Sequence, residues 1–152
     1  MGNEINRLVK QFAELEHGDC WIGVNFREGL RGIDSARASR NVYPATNNIW
    51  LLVSHITYWR SRVVNRLMGS DNPPPFPDFN LPAVLDETNW KQALMDFEAA
   101  YHSLRSALLN LPDDHLEKPS PKEGQTYFEL ITGLLQHDAY HLGQIVLLKK
   151  TF

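Results

Sequence analysis

Two histidines, His137 and His141, lie four residues apart in a segment whose apolar residues follow helical spacing. Four residues on an α-helix correspond to about 40° of rotation and about 6 Å of rise, so both imidazoles lie on one face. A buried polar group without a partner costs about 1 to 3 kcal/mol, so this pair needs a shared partner. A divalent metal ion would supply one, whereas a single histidine here would be read as a hydrogen-bonded core residue. The pair interrupts a seam with alternating three- and four-residue steps, which consists of Tyr127, Leu130, Leu134, Ile145 and Leu148.

A third histidine, His55, lies one turn after Leu51 and one turn before Trp59, at the border of another apolar stripe. From this position its imidazole can point into the same core as the HxxxH pair. The other histidines lie beside predicted breaks or off the apolar stripes. We interpret them as surface residues or local hydrogen-bonding groups, and they are His17, His102 and His115.

Glycines and prolines divide the chain into four long segments with helical periodicity. Amphipathic helices of this length can bury their apolar stripes only against each other. The predicted fold is therefore all-α, an up-down four-helix bundle with long crossover connections, in a single domain over residues 1–152. The four predicted helices cover residues 3–16, 46–68, 87–109 and 126–150.

The ends of these helices carry recognisable signals. Thr46 or Asn47 is expected to cap the second helix, and Thr126 with Glu129 matches a capping box at the start of the fourth. Residues 24–30 could form a further short helix. Residues 70–82 contain several prolines, which lack amide donors, so this segment is predicted to be a crossover loop.

The composition excludes several classes of protein. The net charge of −3 argues against a broad nucleic-acid interface. The single cysteine excludes an internal disulfide. No apolar stretch approaches the roughly 18 residues of a membrane span, and residues 1–10 have no signal-peptide core, so we expect a cytoplasmic protein without a membrane partner. The arginine clusters are interpreted as solvated helix faces; they comprise Arg27, Arg31, Arg37 and Arg40, then Arg60, Arg62 and Arg66.

Two sequence motifs resemble a known family. NIWLLVSHITYWR at residues 48–60 and QHDAYHLGQI at residues 136–145 are similar to motifs of the DinB/YfiT-like helical bundles, and GDCW at residues 18–21 also fits. The resemblance implies a site in which one histidine of the second helix joins an HxxxH pair of the last. These roles map onto His55, His137 and His141 as metal ligands.

Three imidazoles leave at least one coordination position open, as in catalytic zinc sites. Imidazole also binds nickel, iron and copper; we favour zinc or nickel. Groups that could orient the imidazoles through their second nitrogen are Asp138, Tyr140 and Gln144, each with structural hydrogen bonding as the alternative. Side chains that could line the mouth of the pocket, with core packing as the alternative, are Trp50, Tyr58 and Trp59.

The family resemblance favours chemistry that depends on thiols, because some similar bundles are S-transferases that use low-molecular-weight thiols. The leading hypothesis is a metal-dependent S-transferase, in which a thiolate bound at the metal attacks an electrophilic substrate. A metal-dependent hydrolase is the first alternative, although the HxxxH motif lacks the adjacent glutamate of an HExxH site. A non-catalytic metal-binding or stress-related interaction protein is the second. The resemblance also implies a homodimer.

Overall fold

The computed structural model describes residues 3–152, and in this part of the chain it is all-helical without a β-strand, as predicted. Residues 1 and 2 of the predicted domain lie outside the described residues. Four long helices and two short ones are joined by loops and by a 3-10 turn at Asp113–His115. The helices are α1 (Asn3–His17), α2 (Phe26–Leu30), α3 (Ser35–Ala38), α4 (Ile49–Leu67), α5 (Glu87–Leu109) and α6 (Tyr127–Lys149).

The helix caps agree with the sequence signals in one case and differ in another. Thr126 and Glu129 form the predicted capping box at the start of α6. Helix α4 is capped by Asn48, and not by Thr46 or Asn47: the Asn48 side chain accepts a hydrogen bond from the Leu51 amide at 2.9 Å. The amide group of Asn48 also donates to the carbonyl of Ser39, so the cap is selected by a contact with the preceding loop that periodicity does not reveal.

Helices α4 and α5 run parallel, and α1 and α6 run in the opposite direction. Trp50 and Trp90, near the starts of α4 and α5, lie with ring centroids 5.2 Å apart, and Leu67 and Leu108, near their ends, belong to the same hydrophobic cluster. The order is therefore up, down, down, up. A parallel pair needs a long connection, because the chain must return along the whole of α4 before α5 begins.

This connection contains a segment, residues 70–82, that we call the strap, and it contacts α4 at successive positions toward the start of that helix. Asp71 forms an ion pair with Arg66 at 2.6 Å. The ring of Phe76 then lies 6.1 Å from that of Tyr58, and the amide of Asn80 donates to the Ser54 hydroxyl. The strap therefore covers the side of α4 that carries His55.

The interpretation of the second arginine cluster as a solvated face is wrong. Arg60 and Arg66 on α4 are buried, with 1% and 6% of their surface exposed. Arg66 pairs with the strap, and Arg60 lies in the core between α1 and α6, where Glu16 and Asp138 accept its hydrogen bonds. The partners of Arg60 come from two other helices and that of Arg66 from the loop after α4, so spacing along α4 itself cannot indicate them.

None of the described helices combines the length and the apolar character needed to cross a lipid bilayer.

Candidate metal centre

The structure brings His55 of α4 together with His137 and His141 of α6. One ring nitrogen from each residue can be chosen so that all three lie within 4.8 Å of one another. The Nε2 atoms of His55 and His137 are 3.0 Å apart, and the three ring centroids are separated by 4.4 to 4.9 Å. The two helices therefore place the three predicted residues in one cluster.

Two of these imidazoles are fixed by short hydrogen bonds on their outer nitrogen. Nδ1 of His55 lies 2.6 Å from a carboxylate oxygen of Asp78, in the strap. Nδ1 of His141 lies 2.6 Å from the amide oxygen of Gln144, one turn further along α6. Because the partner atoms are oxygens that accept, Nδ1 donates in both cases, and Nε2 keeps its lone pair.

The third imidazole, His137, has a carboxylate partner of its own. Its Nδ1 lies 3.3 Å from Oδ1 of Asp138, and the other oxygen of Asp138 accepts from Arg60 at 2.8 Å. Arg60 in turn donates to Glu16 of α1 at 2.7 Å. All three histidines thus direct Nδ1 toward oxygen acceptors, and this leaves their Nε2 atoms free to coordinate.

Burial favours the neutral imidazole in this cluster. His55 and His141 are each about 8% exposed, and burial lowers the pKa of both below the ordinary value of 6.5. The hydrogen bond to Asp78 acts in the opposite direction on His55, as that to Gln144 does on His141, but desolvation outweighs both. Neutral imidazole is the form that coordinates metal ions.

This donor set fits a divalent cation. When Nδ1 carries the proton on both His55 and His137, their Nε2 lone pairs face each other at 3.0 Å and repel, because neither nitrogen can donate to the other. A cation bound by the three nitrogens replaces that repulsion with attraction. Three neutral nitrogen ligands suit zinc and nickel as well as copper and iron, and they leave a coordination position for a further ligand.

Aromatic side chains border the cluster. The Phe79 ring stacks on His55 with centroids 3.9 Å apart, and the Trp59 ring lies 6.3 Å from His55 and 6.0 Å from His137. Tyr140 packs edge-on against His141 at 5.0 Å. Of the aromatic residues proposed for the pocket mouth, Trp59 borders the histidines. Trp50 is instead buried against Trp90, and Tyr58 contacts Trp59 and the strap.

Two of the three residues expected to orient the imidazoles contact them, and one further residue that does so was not predicted. Asp138 and Gln144 contact His137 and His141, while the hydroxyl of Tyr140 accepts from Gln144 at 3.4 Å. Asp78 was missed, because it lies in the proline-rich segment, where no periodicity links it to His55. The path of this segment follows from the parallel arrangement of α4 and α5, and no signal in the sequence revealed that arrangement.

The remaining histidines lie away from the cluster, as predicted. His17 and His102 are exposed, and His115 is half-buried beside Asp114.

One of three comparisons with known proteins identifies a family for this chain. Residues 25–145 match the family model of the DinB superfamily, and this match covers most of the chain. The chain therefore belongs to the DinB superfamily. The comparisons with curated proteins and with solved structures found no match.

Proposed function

We propose that the protein is a metal-dependent S-transferase that joins a low-molecular-weight thiol to an electrophilic substrate, with His55, His137 and His141 as ligands of one divalent cation. The observation that carries the proposal is the shared orientation of the three imidazoles, whose Nδ1 atoms all face oxygen acceptors. Zinc and nickel are the cations we favour.

A divalent cation at this site supplies Lewis acidity and lowers the pKa of a coordinated thiol. The three imidazoles are uncharged ligands, so they neutralise none of the charge of a dication. The site therefore favours a negatively charged sulfur over a neutral ligand. Burial lowers the pKa of His55 and His141, so both imidazoles also stay in the coordinating form at neutral pH.

The two carboxylates beside the histidines favour thiol transfer over hydrolysis. Asp78 accepts from His55 and from the amide of Phe79, and Asp138 lies between His137 and Arg60. Both are occupied in holding the imidazoles. A general base for water would need a carboxylate free to accept a proton beside the open position, as the glutamate of an HExxH site is. A thiol that ionises on coordination has less need of such a base.

The rim of the site offers apolar surface to a substrate. Phe79 and Tyr140 flank the histidine cluster and are 38% and 65% exposed. Exposed aromatic rings of this kind bind flat or apolar groups by burial of surface. We therefore propose that the electrophile has an apolar or aromatic part that packs on these two rings.

The metal site is tested by elemental mass spectrometry of the purified protein after zinc or nickel loading and gel filtration. We expect about one metal ion per chain, and a loss of that ion in His55→Ala, His137→Ala and His141→Ala. His102→Ala removes an exposed histidine on α5 and is the matched control. Circular dichroism shows whether each variant is folded. Unchanged metal loading in the three variants would contradict the ligand assignment.

The chemistry is tested with the cobalt-loaded protein. Cysteine, glutathione and coenzyme A are titrated separately, and a sulfur-to-cobalt charge-transfer band with one of them supports thiol binding. Turnover is then followed with that thiol and monochlorobimane, which becomes fluorescent when its carbon–chlorine bond is replaced by a carbon–sulfur bond. Ester hydrolysis without a thiol band would favour a hydrolase. Inertness in both assays would favour a non-catalytic metal-binding protein.

A further inference from the structure

Arg60 lies in the centre of the bundle and joins three helices. It extends from α4, is 1% exposed, and donates through Nε to Asp138 of α6 and through Nη2 to Glu16 of α1. The guanidinium carbon lies 4.3 Å from the ring centroid of Phe97 and 5.0 Å from that of Phe26. The position of this guanidinium is therefore set by contacts on several sides.

Asp138 connects this arginine with the histidine cluster. Its side chain is fully buried, and its two oxygens have different partners: Oδ2 accepts from Arg60, and Oδ1 faces Nδ1 of His137. The bond from Arg60 to Oδ2 restricts the rotation of the carboxylate, and this limits where Oδ1 can lie. The acceptor for His137 is thereby held close to Nδ1 of that residue.

We propose that Arg60 is a positioning residue of the metal site, which acts through Asp138 to hold the proton of His137 on Nδ1 and to present Nε2 to the cation. The inference rests on the proposed metal site. Glu16 completes the arrangement, because it provides the second carboxylate for the same guanidinium. The chain of contacts runs from α1 through α4 to a ligand on α6.

The charges themselves argue for such a role. Buried ion pairs seldom stabilise a fold more than apolar residues of similar size, because desolvation offsets their attraction. One nitrogen of Arg60, Nη1, is buried without a hydrogen-bond partner among the described residues. The sequence thus places an incompletely satisfied guanidinium in the core, where a leucine or methionine would pack. Arg60 contacts Asp138, which in turn contacts the proposed metal ligand His137, and this contact gives the buried charge a function.

The test compares zinc affinity in two lysine variants of buried arginines on the same helix. Lysine lacks the planar fork of arginine and cannot bond both carboxylates in the same geometry. Arg60→Lys is expected to weaken zinc binding by about 10- to 100-fold, the range for residues that support a ligand histidine. Arg66→Lys is the control, because Arg66 is also buried but pairs with Asp71 at the protein surface. Zinc dissociation constants come from competition with a chromophoric chelator.

A double-mutant cycle separates positioning from a general loss of stability. Asp138→Asn keeps the shape of the side chain but presents an oxygen on one side only. It is expected to weaken zinc binding to a similar extent, and Arg60→Lys should add little in the Asp138→Asn background. Additive losses, or a lower melting temperature of Arg60→Lys with an unchanged zinc dissociation constant, would overturn the proposal.

The protonation of His137 in the metal-free protein provides a readout that does not depend on metal binding. Long-range proton–nitrogen NMR spectra of the wild type should show the Nδ1–H form, and Asp138→Asn should shift His137 toward the Nε2–H form. If the wild type binds no metal but Asp138→Asn still shifts His137 toward the Nε2–H form, the metal site is refuted. The role of Asp138 in positioning the His137 proton then remains. An unchanged form of His137 in Asp138→Asn would refute the positioning role itself.

Discussion

The ring of Phe79 lies flat on the imidazole of His55, with the two planes 14° apart and the centroids separated by 3.9 Å. The same carboxylate oxygen of Asp78 accepts from His55 and from the backbone amide of Phe79, at 2.6 and 2.8 Å. Phe79 has a positive φ of 49°, in the left-handed region that bulky residues rarely adopt. The strap thus holds His55 by one charged contact and one stacked ring, and its backbone is strained at this point.

Replacement of Phe79 separates the stacked ring from the strained backbone. Phe79→Ala removes the ring and keeps a side chain in the left-handed region, whereas Phe79→Gly removes both the ring and the strain. We expect Phe79→Gly to be more stable than Phe79→Ala by about 1 kcal/mol. Urea denaturation of the metal-free proteins measures the difference.

Ala45 is the control for this comparison, because it also has a positive φ, of 59°, and lies outside the strap. Ala45→Gly should show a gain of the same sign. Equal stability of the two Phe79 variants would show that the backbone at residue 79 changes its conformation when the ring is removed.

Asp78→Asn should weaken metal binding. The amide can still accept from His55, but it lacks the negative charge that makes the imidazole a better ligand, so we expect a zinc dissociation constant about 10- to 100-fold higher. Asp71→Asn is the matched control in the same strap, because Asp71 pairs with Arg62 and Arg66 and does not contact the histidines. Chelator competition measures both variants, and equal effects of the two would assign the loss to the strap as a whole.

The stability of the metal-free protein should decrease in mild acid. Burial holds the pKa of His55 and His141 below the ordinary value of 6.5. As the pH falls below 6.5, the unfolded chain therefore takes up protons on these imidazoles before the folded chain does, and the unfolding free energy declines until the folded pKa is passed. Urea titrations at pH values from about 7.5 to about 5 measure this decline. The range extends about one unit or more on either side of the ordinary histidine pKa.

Variants isolate the contribution of these histidines from that of other groups. The double variant His55→Gln/His141→Gln should show a smaller decline over the same range, and His102→Gln, in which an exposed histidine is changed, should follow the wild type. Zinc should raise the stability at pH 7.5 and lose this effect in acid, because protons compete for the same nitrogens. A wild-type decline no larger than that of the double variant would contradict the assignment of both pKa shifts.

The capping box of α6 should contribute measurably to stability. The Thr126 side chain accepts from the Glu129 amide, and Glu129 accepts from the Thr126 amide at 2.8 Å. Thr126→Ala is expected to reduce the unfolding free energy by about 1 kcal/mol and the melting temperature by about 2 to 4 °C. Thr126→Ser keeps the hydroxyl and should remain close to the wild type in thermal denaturation. A loss in the serine variant as large as in the alanine variant would point to the methyl group instead.

Helical spacing was enough to predict the long helices and the meeting of His137 with His141. Both depend on contacts between residues a few positions apart, where sequence distance determines geometry. His55 could be placed at the border of a stripe, but the 3.0 Å approach of its Nε2 atom to that of His137 depends on how α4 packs against α6. The family resemblance bridged this gap; periodicity alone did not.

The supporting residues show where sequence reasoning failed. Arg60 was interpreted as exposed, because its charge and its neighbours Arg62 and Arg66 suggest a polar face. Its partners Glu16 and Asp138 are 44 and 78 residues away, so nothing near Arg60 in the sequence indicates that the charge is neutralised. Asp78 was missed for a related reason, since the path of an irregular segment is set by the helices it crosses.

The parallel arrangement of α4 and α5 has a consequence for access to the histidines. The amide of Asn80, in the strap, donates to the Ser54 hydroxyl of α4, so this proton is protected by a contact between the strap and the helix. Opening of the strap would break this contact, while the hydrogen bonds inside α4 would remain. Hydrogen exchange at the Asn80 amide, set against that of amides inside α4, reports how often the strap leaves the helix and uncovers the histidine cluster in the folded protein.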